Sequence, residues 1–238
     1  MLYPQQKEQN MQIKTIVKPN LARRLTAEAL GTAFLLAAVV GSGIMAERLS
    51  GGNIALALLA NTLATGAALT ALILAFGSLS GAHFNPAVTL VEACRGGIAW
   101  RETPGYIAAQ LAGAFGGVAA AHIMFGLPLF TASQHIRAGN AQLFSECVAT
   151  FGLVCIILGC ARSRPTMVPF AVGAYITGAY WFTASTSFAN PAVTLARSFT
   201  DSFSGIRPED APGFIAAQLT GAAAAALLCR WLMPKEGQ

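Results

Sequence analysis

Residues 80–90 read SGAHFNPAVTL, and residues 190–195 repeat NPAVTL. Asn85-Pro86-Ala87 and Asn190-Pro191-Ala192 each have the form of a helix start. Asn is a good N-cap, and Pro at the first helical position gives up an amide that had no partner there anyway. The apolar stretches that follow, 85–95 and 190–199, are short. At about 1.5 Å per residue neither could cross a hydrocarbon core of about 30 Å. Both are read as half-helices that enter a membrane and end inside it.

Around these hooks lie six apolar segments long enough to span: 25–46, 54–76, 104–125, 141–161, 166–184 and 211–233. The chain is 55% hydrophobic and 11% charged, where an average soluble domain is about 25% charged. Its glycines and alanines suit close helix approach in a membrane. The halves repeat. The second NPAVTL lies 105 positions after the first, GYIAAQLAG at 105–113 recurs as GFIAAQLTG at 213–221, and AEALGT (27–32) aligns more weakly with SECVAT (145–150), setting Glu28 opposite Glu146. Each half holds three spans, an odd number, so the second copy sits inverted and the hooks enter from opposite faces to meet near the midplane. The fold expected is an all-α membrane protein of six transmembrane helices plus two re-entrant half-helices in an inverted repeat. The channel domain covers 22–234, with repeats at about 22–125 and 141–233, between tails at 1–21 and 235–238.

The net charge of +5 is topological information and not a nucleic-acid footprint. With the N-terminus inside, the inner segments carry Lys7, Lys14, Lys18, Arg23, Arg24, Arg95, Arg101, Arg162, Arg164, Arg230 and Lys235, and the outer ones only Arg48, Arg137, Arg197 and Arg207. That bias puts both termini in the cytoplasm, and the location expected is the inner (plasma) membrane. Residues 1–20 lack the apolar core and cleavage site of a signal peptide. The five cysteines form no CxxC pair and read as small buried hydrophobes. No catalytic set, metal cluster or cofactor motif is visible.

The arrangement implies a pore. Ala87 and Ala192 let the two caps pack tip to tip, Asn85 and Asn190 turn amide donors to the lumen, and two positive helix ends converge on one zone. Irregular backbone at this depth is tolerable only where it lines a wet cavity.

SGAHFNPAVTL, the second NPA, AEALGT and GYIAAQLAG together resemble the major intrinsic protein family of aquaporins and glycerol facilitators, over about residues 22–233. Pores of that type are the known case of half-helix dipoles excluding cations and protons. The resemblance implies one pore per subunit, a homotetramer in the lipid bilayer, and small neutral solutes as cargo. It also implies that Glu28 and Glu146 hold the backbone of the hooks; a proton relay is the competing role for them. His83 packs beside the first hook, or gates by pH, while His122 and His135 read as solvated or capping groups near the outer face. Most members carry Arg directly after the second NPA, where this chain has Val193. Counting from the motifs puts the other filter positions at Thr65, Gly178 and Ser187. Water-specific members place bulky Phe and His at the first two, so this filter is expected to be wide, without a fixed charge or a bulky ring. Arg197 and Asp201, four apart, read as a surface pair on one helix face, with a pore role for Arg197 as the alternative. The Val within NPAVTLARSF resembles a bacterial arsenic-resistance-associated branch. The expected cargo is water with glycerol, urea or arsenite-type solutes.

Two other classes compete. An ion-coupled secondary transporter can also use inverted repeats and broken helices, but few ionisable residues fall within the spans. A membrane enzyme or junction-forming protein would need a reactive set or longer loops.

Overall fold

A computed structural model describes residues 19–233. The tails expected at 1–21 and 235–238, apart from residues 19–21, and Lys7, Lys14, Lys18 and Lys235 lie outside the described residues. Eight α-helices follow in order: α1 (Leu21–Leu49), α2 (Ile54–Ser80), α3 (Pro86–Arg95), α4 (Thr103–Phe125), α5 (Asn140–Ser163), α6 (Val168–Phe182), α7 (Pro191–Arg197) and α8 (Ala211–Leu232).

Local chemistry sets the boundaries. The side chains of Asn20 and Asn53 accept from the amides of Arg23 (3.0 Å) and Leu56 (3.1 Å) and start α1 and α2. Gly81 stops α2 and Gly96 stops α3, both in the left-handed region at φ 94° and 82°. α1, α2, α4, α5 and α8 are long and apolar enough to cross a membrane. The sixth expected span, 166–184, is shorter than read. A 3₁₀ turn at Pro165–Met167 leads into the 15 residues of α6. These give about 23 Å of α-helix and about 6 Å of 3₁₀, close to a hydrocarbon thickness of about 30 Å.

α1 packs on α4 and α2, α5 packs on α8 and α6, and α2 meets α6 across the two halves. The repeated glycines permit this closeness. A Cβ on Gly113 would lie 2.2 Å from the Ala29 carbonyl oxygen, and one on Gly221 would lie 2.2 Å from that of Cys147. These are the two ends of the repeated IAAQLxG segment, so the same close approach is built twice. Large side chains such as Phe34, Phe144, Leu227 and Trp231 are exposed, as befits a bundle whose outer surface meets lipid. Six crossings return the chain to the face from which α1 begins. That face is called near below, and the opposite one far.

Candidate functional site

The hooks meet at the middle of the bundle. Asn85 and Asn190 have extended backbones (φ −155° and −157°) and cap α3 and α7. The Asn85 Oδ1 accepts from the Ala87 amide at 2.9 Å, and the Asn190 Oδ1 accepts from those of Ala192 at 3.0 Å and Val193 at 3.3 Å. The amide nitrogens reach across the pseudo-symmetry axis: Asn85 Nδ2 donates to the Ala189 carbonyl and Asn190 Nδ2 to the Phe84 carbonyl, each at 2.7 Å. A carboxamide has two N–H donors. One from each Asn therefore ties the hooks together, and the other is left for the cavity both residues line. Pro86, Ala87, Pro191 and Ala192 are buried at this contact.

Glu28 and Glu146 lie behind the hooks, fully buried. Glu28 accepts from Ser80 Oγ (2.6 Å), the His83 and Phe84 amides (3.0 and 2.8 Å) and Gln110 Nε2 (2.8 Å). Glu146 accepts from the Phe188 and Ala189 amides (both 2.8 Å) and Gln218 Nε2 (2.6 Å). Gln110 and Gln218 donate onward to Thr89 and Thr194, each the fourth residue after the start of its hook's NPA motif. The carboxyls hold costly backbone: Ala82, Phe84, Thr186, Ser187 and Ala189 all have φ between 48° and 62°, a region worth about 1–3 kcal/mol of strain for a residue with a side chain. Every one of these donors points onto the carboxyl, which suits an anchor. His83 packs as read, with its ring 5.4 Å from that of Tyr106 and Nδ1 3.1 Å from Thr89 Oγ1.

One cavity of about 470 Å³ runs past both Asn side chains. At the near face exposed Ser78, Leu79, Gly81 and Gly97 line it, so it opens there. At the far end its wall is Thr65, Tyr180, Ser187, Phe188, Val193 and Arg197, all buried, and no residue of 198–207 or 127–139 reaches it. The Tyr180 hydroxyl donates across to Thr65 Oγ1 at 3.3 Å, joining α6 to α2 over this end.

Two expectations fail here. Gly178 does not line the cavity. It is exposed, with nothing near the position of a Cβ. The cavity face of α6 is Val168, Val172, Ile176 and Tyr180, and two residues along a helix turn a side chain roughly 200° away. Counting twelve residues back from Asn190 assumed a loop two residues longer than the one present, so a bulky ring, Tyr180, stands where open space was expected.

The second concerns Arg197. α7 ends at Arg197, so Asp201 does not share its helix face; the Asp201 carboxyl instead accepts from the Gln134 amide at 2.9 Å. Arg197 is 1% exposed, donates from Nε to the Ser204 carbonyl, and lies with its guanidinium carbon 3.4 Å from the centre of the Phe188 ring. The far end therefore holds a fixed cation, contrary to the expected charge-free filter.

Arg137 was not singled out in the sequence beyond its charge. It folds in from the loop before α5, donates to the carbonyls of Gly205 (2.8 Å) and Ser185 (3.2 Å), and faces Phe188 at 5.0 Å. Burial pushes its guanidinium down to about 10, which leaves it a cation at neutral pH. His122 is also buried, bridging Thr200 Oγ1 (2.8 Å) and the Phe130 amide (3.3 Å). It ties α4 to the far loops and is not a solvated group. No local pattern marked either residue, because their partners are 8 to 78 positions away in the chain.

Comparison with known proteins agrees with this geometry. Residues 15–184 match the Major intrinsic protein family. The chain is 59% identical over 214 residues to aquaglyceroporin AqpS of Rhizobium meliloti (strain 1021), covering 90% of this chain and 91% of that one. It is 35% identical over 185 residues to aquaporin NIP1-3 of Oryza sativa subsp. japonica, covering 73% of this chain and 62% of the rice protein. The fold also matches the crystal structure of the aquaglyceroporin from Plasmodium falciparum, with a TM-score of 0.71 and 22% identity over 90% of this chain and 98% of that one. With two capped half-helices meeting inside an inverted helical repeat, this chain is a multi-pass membrane protein belonging to the major intrinsic protein family.

Proposed function

We propose that the protein is a passive channel for water and small uncharged hydroxylated or amide solutes such as glycerol and urea, with uncharged metalloid acids of the arsenous-acid type within its range. The carrying observation is the waist, where Asn85 and Asn190 each keep one N–H toward a single lumen between two converging helix N-termini. Donors there orient a passing oxygen as acceptor, and the positive helix ends repel cations. The names of the bacterial and protozoan relatives, both aquaglyceroporins, support glycerol-like cargo. The basic residues of the near face, among them Arg23, Arg24, Arg95 and Arg101, support cytoplasmic termini in an inner membrane. A homotetramer is the assembly expected from the family.

The test is stopped-flow measurement on reconstituted protein with water, glycerol, urea and arsenite. Flux should follow each solute gradient in either direction and ignore a protonophore. Accumulation of solute above its external concentration, abolished by collapsing a proton gradient, would overturn the channel in favour of a coupled transporter.

A further inference from the structure

Cys155 of α5 and Cys229 of α8 are 74 positions apart in the chain, yet their sulfurs lie 3.6 Å from each other. The helix contact sets that spacing. Both helices run toward the near face, and each cysteine stands eight residues beyond its own member of the close Cys147–Gly221 contact. The approach that Gly221 permits therefore carries the two thiols into register. Neither residue lines the lumen. Cys229 is buried and Cys155 half-buried, so what the pair exposes is on the outer surface of the bundle. The surroundings are apolar, with Phe151, Leu158, Ala222 and Met233 in the same cluster.

Spacing, ligand count and charge together select what this pair can hold. A disulfide needs its sulfurs at about 2.05 Å. With a metal–thiolate bond of about 2.3 Å, a linear two-thiolate ion needs its sulfurs about 4.6 Å apart, and a centre with tetrahedral or pyramidal angles needs about 3.5–3.8 Å. The observed 3.6 Å fits the last class. A tetrahedral divalent ion wants two further ligands, and among the described residues no third His, Cys, Asp or Glu joins the pair. A pyramidal trivalent centre wants only one more, and can bring it as a carbon substituent. Its adduct with two thiolates is neutral, which suits an apolar site where an unpaired charge is strongly disfavoured. Trivalent arsenic bearing one organic group meets all three conditions.

We propose that Cys155 and Cys229 form a dithiol site, reached from the lipid side of the bundle, that binds a monosubstituted trivalent arsenical, RAs(OH)₂. Each sulfur bonds to arsenic as one As–O bond breaks, and each thiol proton leaves with that oxygen as water. Two waters are released, arsenic stays trivalent, and no oxidant or reductant is consumed. The helix contact holds both thiols at the chelating distance before the ligand arrives, which lowers the ordering cost of binding.

The probe is phenylarsine oxide, whose single oxygen leaves as one water when two thiols bind. It is added to the full-length protein, purified in detergent and reduced with a phosphine, and the adduct is read by intact mass. The parent should hold one phenylarsenic group per chain, which excess glutathione leaves in place and dimercaptopropanol removes. Cys155→Ala and Cys229→Ala should each lose the group to glutathione. The triple variant Cys94→Ala, Cys147→Ala and Cys160→Ala should keep it, because the pair is intact. Thermal melting identifies the variants that fold, and the probe should raise the melting temperature of the parent but of neither single variant. If the single variants fail to fold, the parent and the triple variant decide. An adduct that glutathione strips from the parent, that a folded single variant retains, or that the folded triple variant lacks overturns the site.

Discussion

Glu146→Gln should loosen the second hook and leave the first in place. The Glu146 carboxyl receives the Phe188 and Ala189 amides at 2.8 Å each and Gln218 Nε2 at 2.6 Å, all in a fully buried setting. Glutamine offers one acceptor oxygen and an NH₂ group. If the oxygen keeps one backbone amide, the NH₂ confronts another donor, so one or two of the three bonds are lost. Bonds of this kind are worth about 1.5–3 kcal/mol, and stranded donors cost as much again as they would in any interior. The expected loss is about 3–5 kcal/mol. The strained backbone at Thr186, Ser187 and Ala189 is then no longer held, and the cavity wall at Ser187 moves.

The first hook supplies the control. Glu28 receives two backbone amides and Gln110, as its counterpart does, and also the Ser80 hydroxyl at 2.6 Å. A hydroxyl can rotate and accept, so Glu28→Gln can turn its NH₂ toward Ser80 and recover a bond. It should be milder than Glu146→Gln by about 1 kcal/mol. The assay is thermal unfolding of detergent-purified protein together with glycerol flux after reconstitution. Glu146→Gln should melt roughly 10 °C lower and lose most of its flux. A Glu146→Gln protein that melts and conducts like the parent would refute the anchoring role, and equal effects at the two sites would refute the rotation argument.

Three further outcomes follow from distances already given. Gly221→Val should abolish recovery of monodisperse protein, because its Cβ would meet the Cys147 carbonyl oxygen at 2.2 Å, while Gly116→Val, with open space around it, should be recovered in parental yield by size-exclusion chromatography. Tyr180→Ala should raise glycerol flux several-fold by clearing the far end of the cavity, and Gly178→Leu should leave it within about two-fold; a block by Gly178→Leu would restore Gly178 to the filter. Asn190→Asp exchanges a donor for an acceptor-only group between two helix N-termini, and should lower neutral-solute flux or admit a cation leak measurable with a potential-sensitive dye.

The parts of the fold legible from sequence were those fixed by local chemistry. An Asn-Pro pair caps a helix wherever it stands, and a stretch of about ten residues cannot span a bilayer. The IAAQLxG repeat ends, in each copy, on the glycine that lets α4 approach α1 or α8 approach α5. Glu28 and Glu146 were found the same way, by their matched places in the two halves, and their hydrogen bonds give the pairing its cause. α6 was harder to read, since its apolar run includes a 3₁₀ turn that composition does not distinguish from α-helix.

The far end of the pore was misread because its geometry depends on loop length. Distance from a motif locates a residue only over a few positions, as it does for Ser187 and Val193, three positions either side of Asn190. Gly178 lies beyond the irregular stretch 183–190, and there a shift of two residues turns the wrong face of α6 to the lumen. Arg197 was misread for a related reason. An i,i+4 partner is meaningful only inside a helix, and α7 stops at Arg197, so the side chain was free to turn inward and stack on Phe188. The same early stop leaves Arg197 buried against Phe188 at the far end of the cavity. Had α7 run on through residue 201, Arg197 and Asp201 could have paired on one helix face. The cavity end would then have been lined by Val193 and Tyr180 with no cation at all.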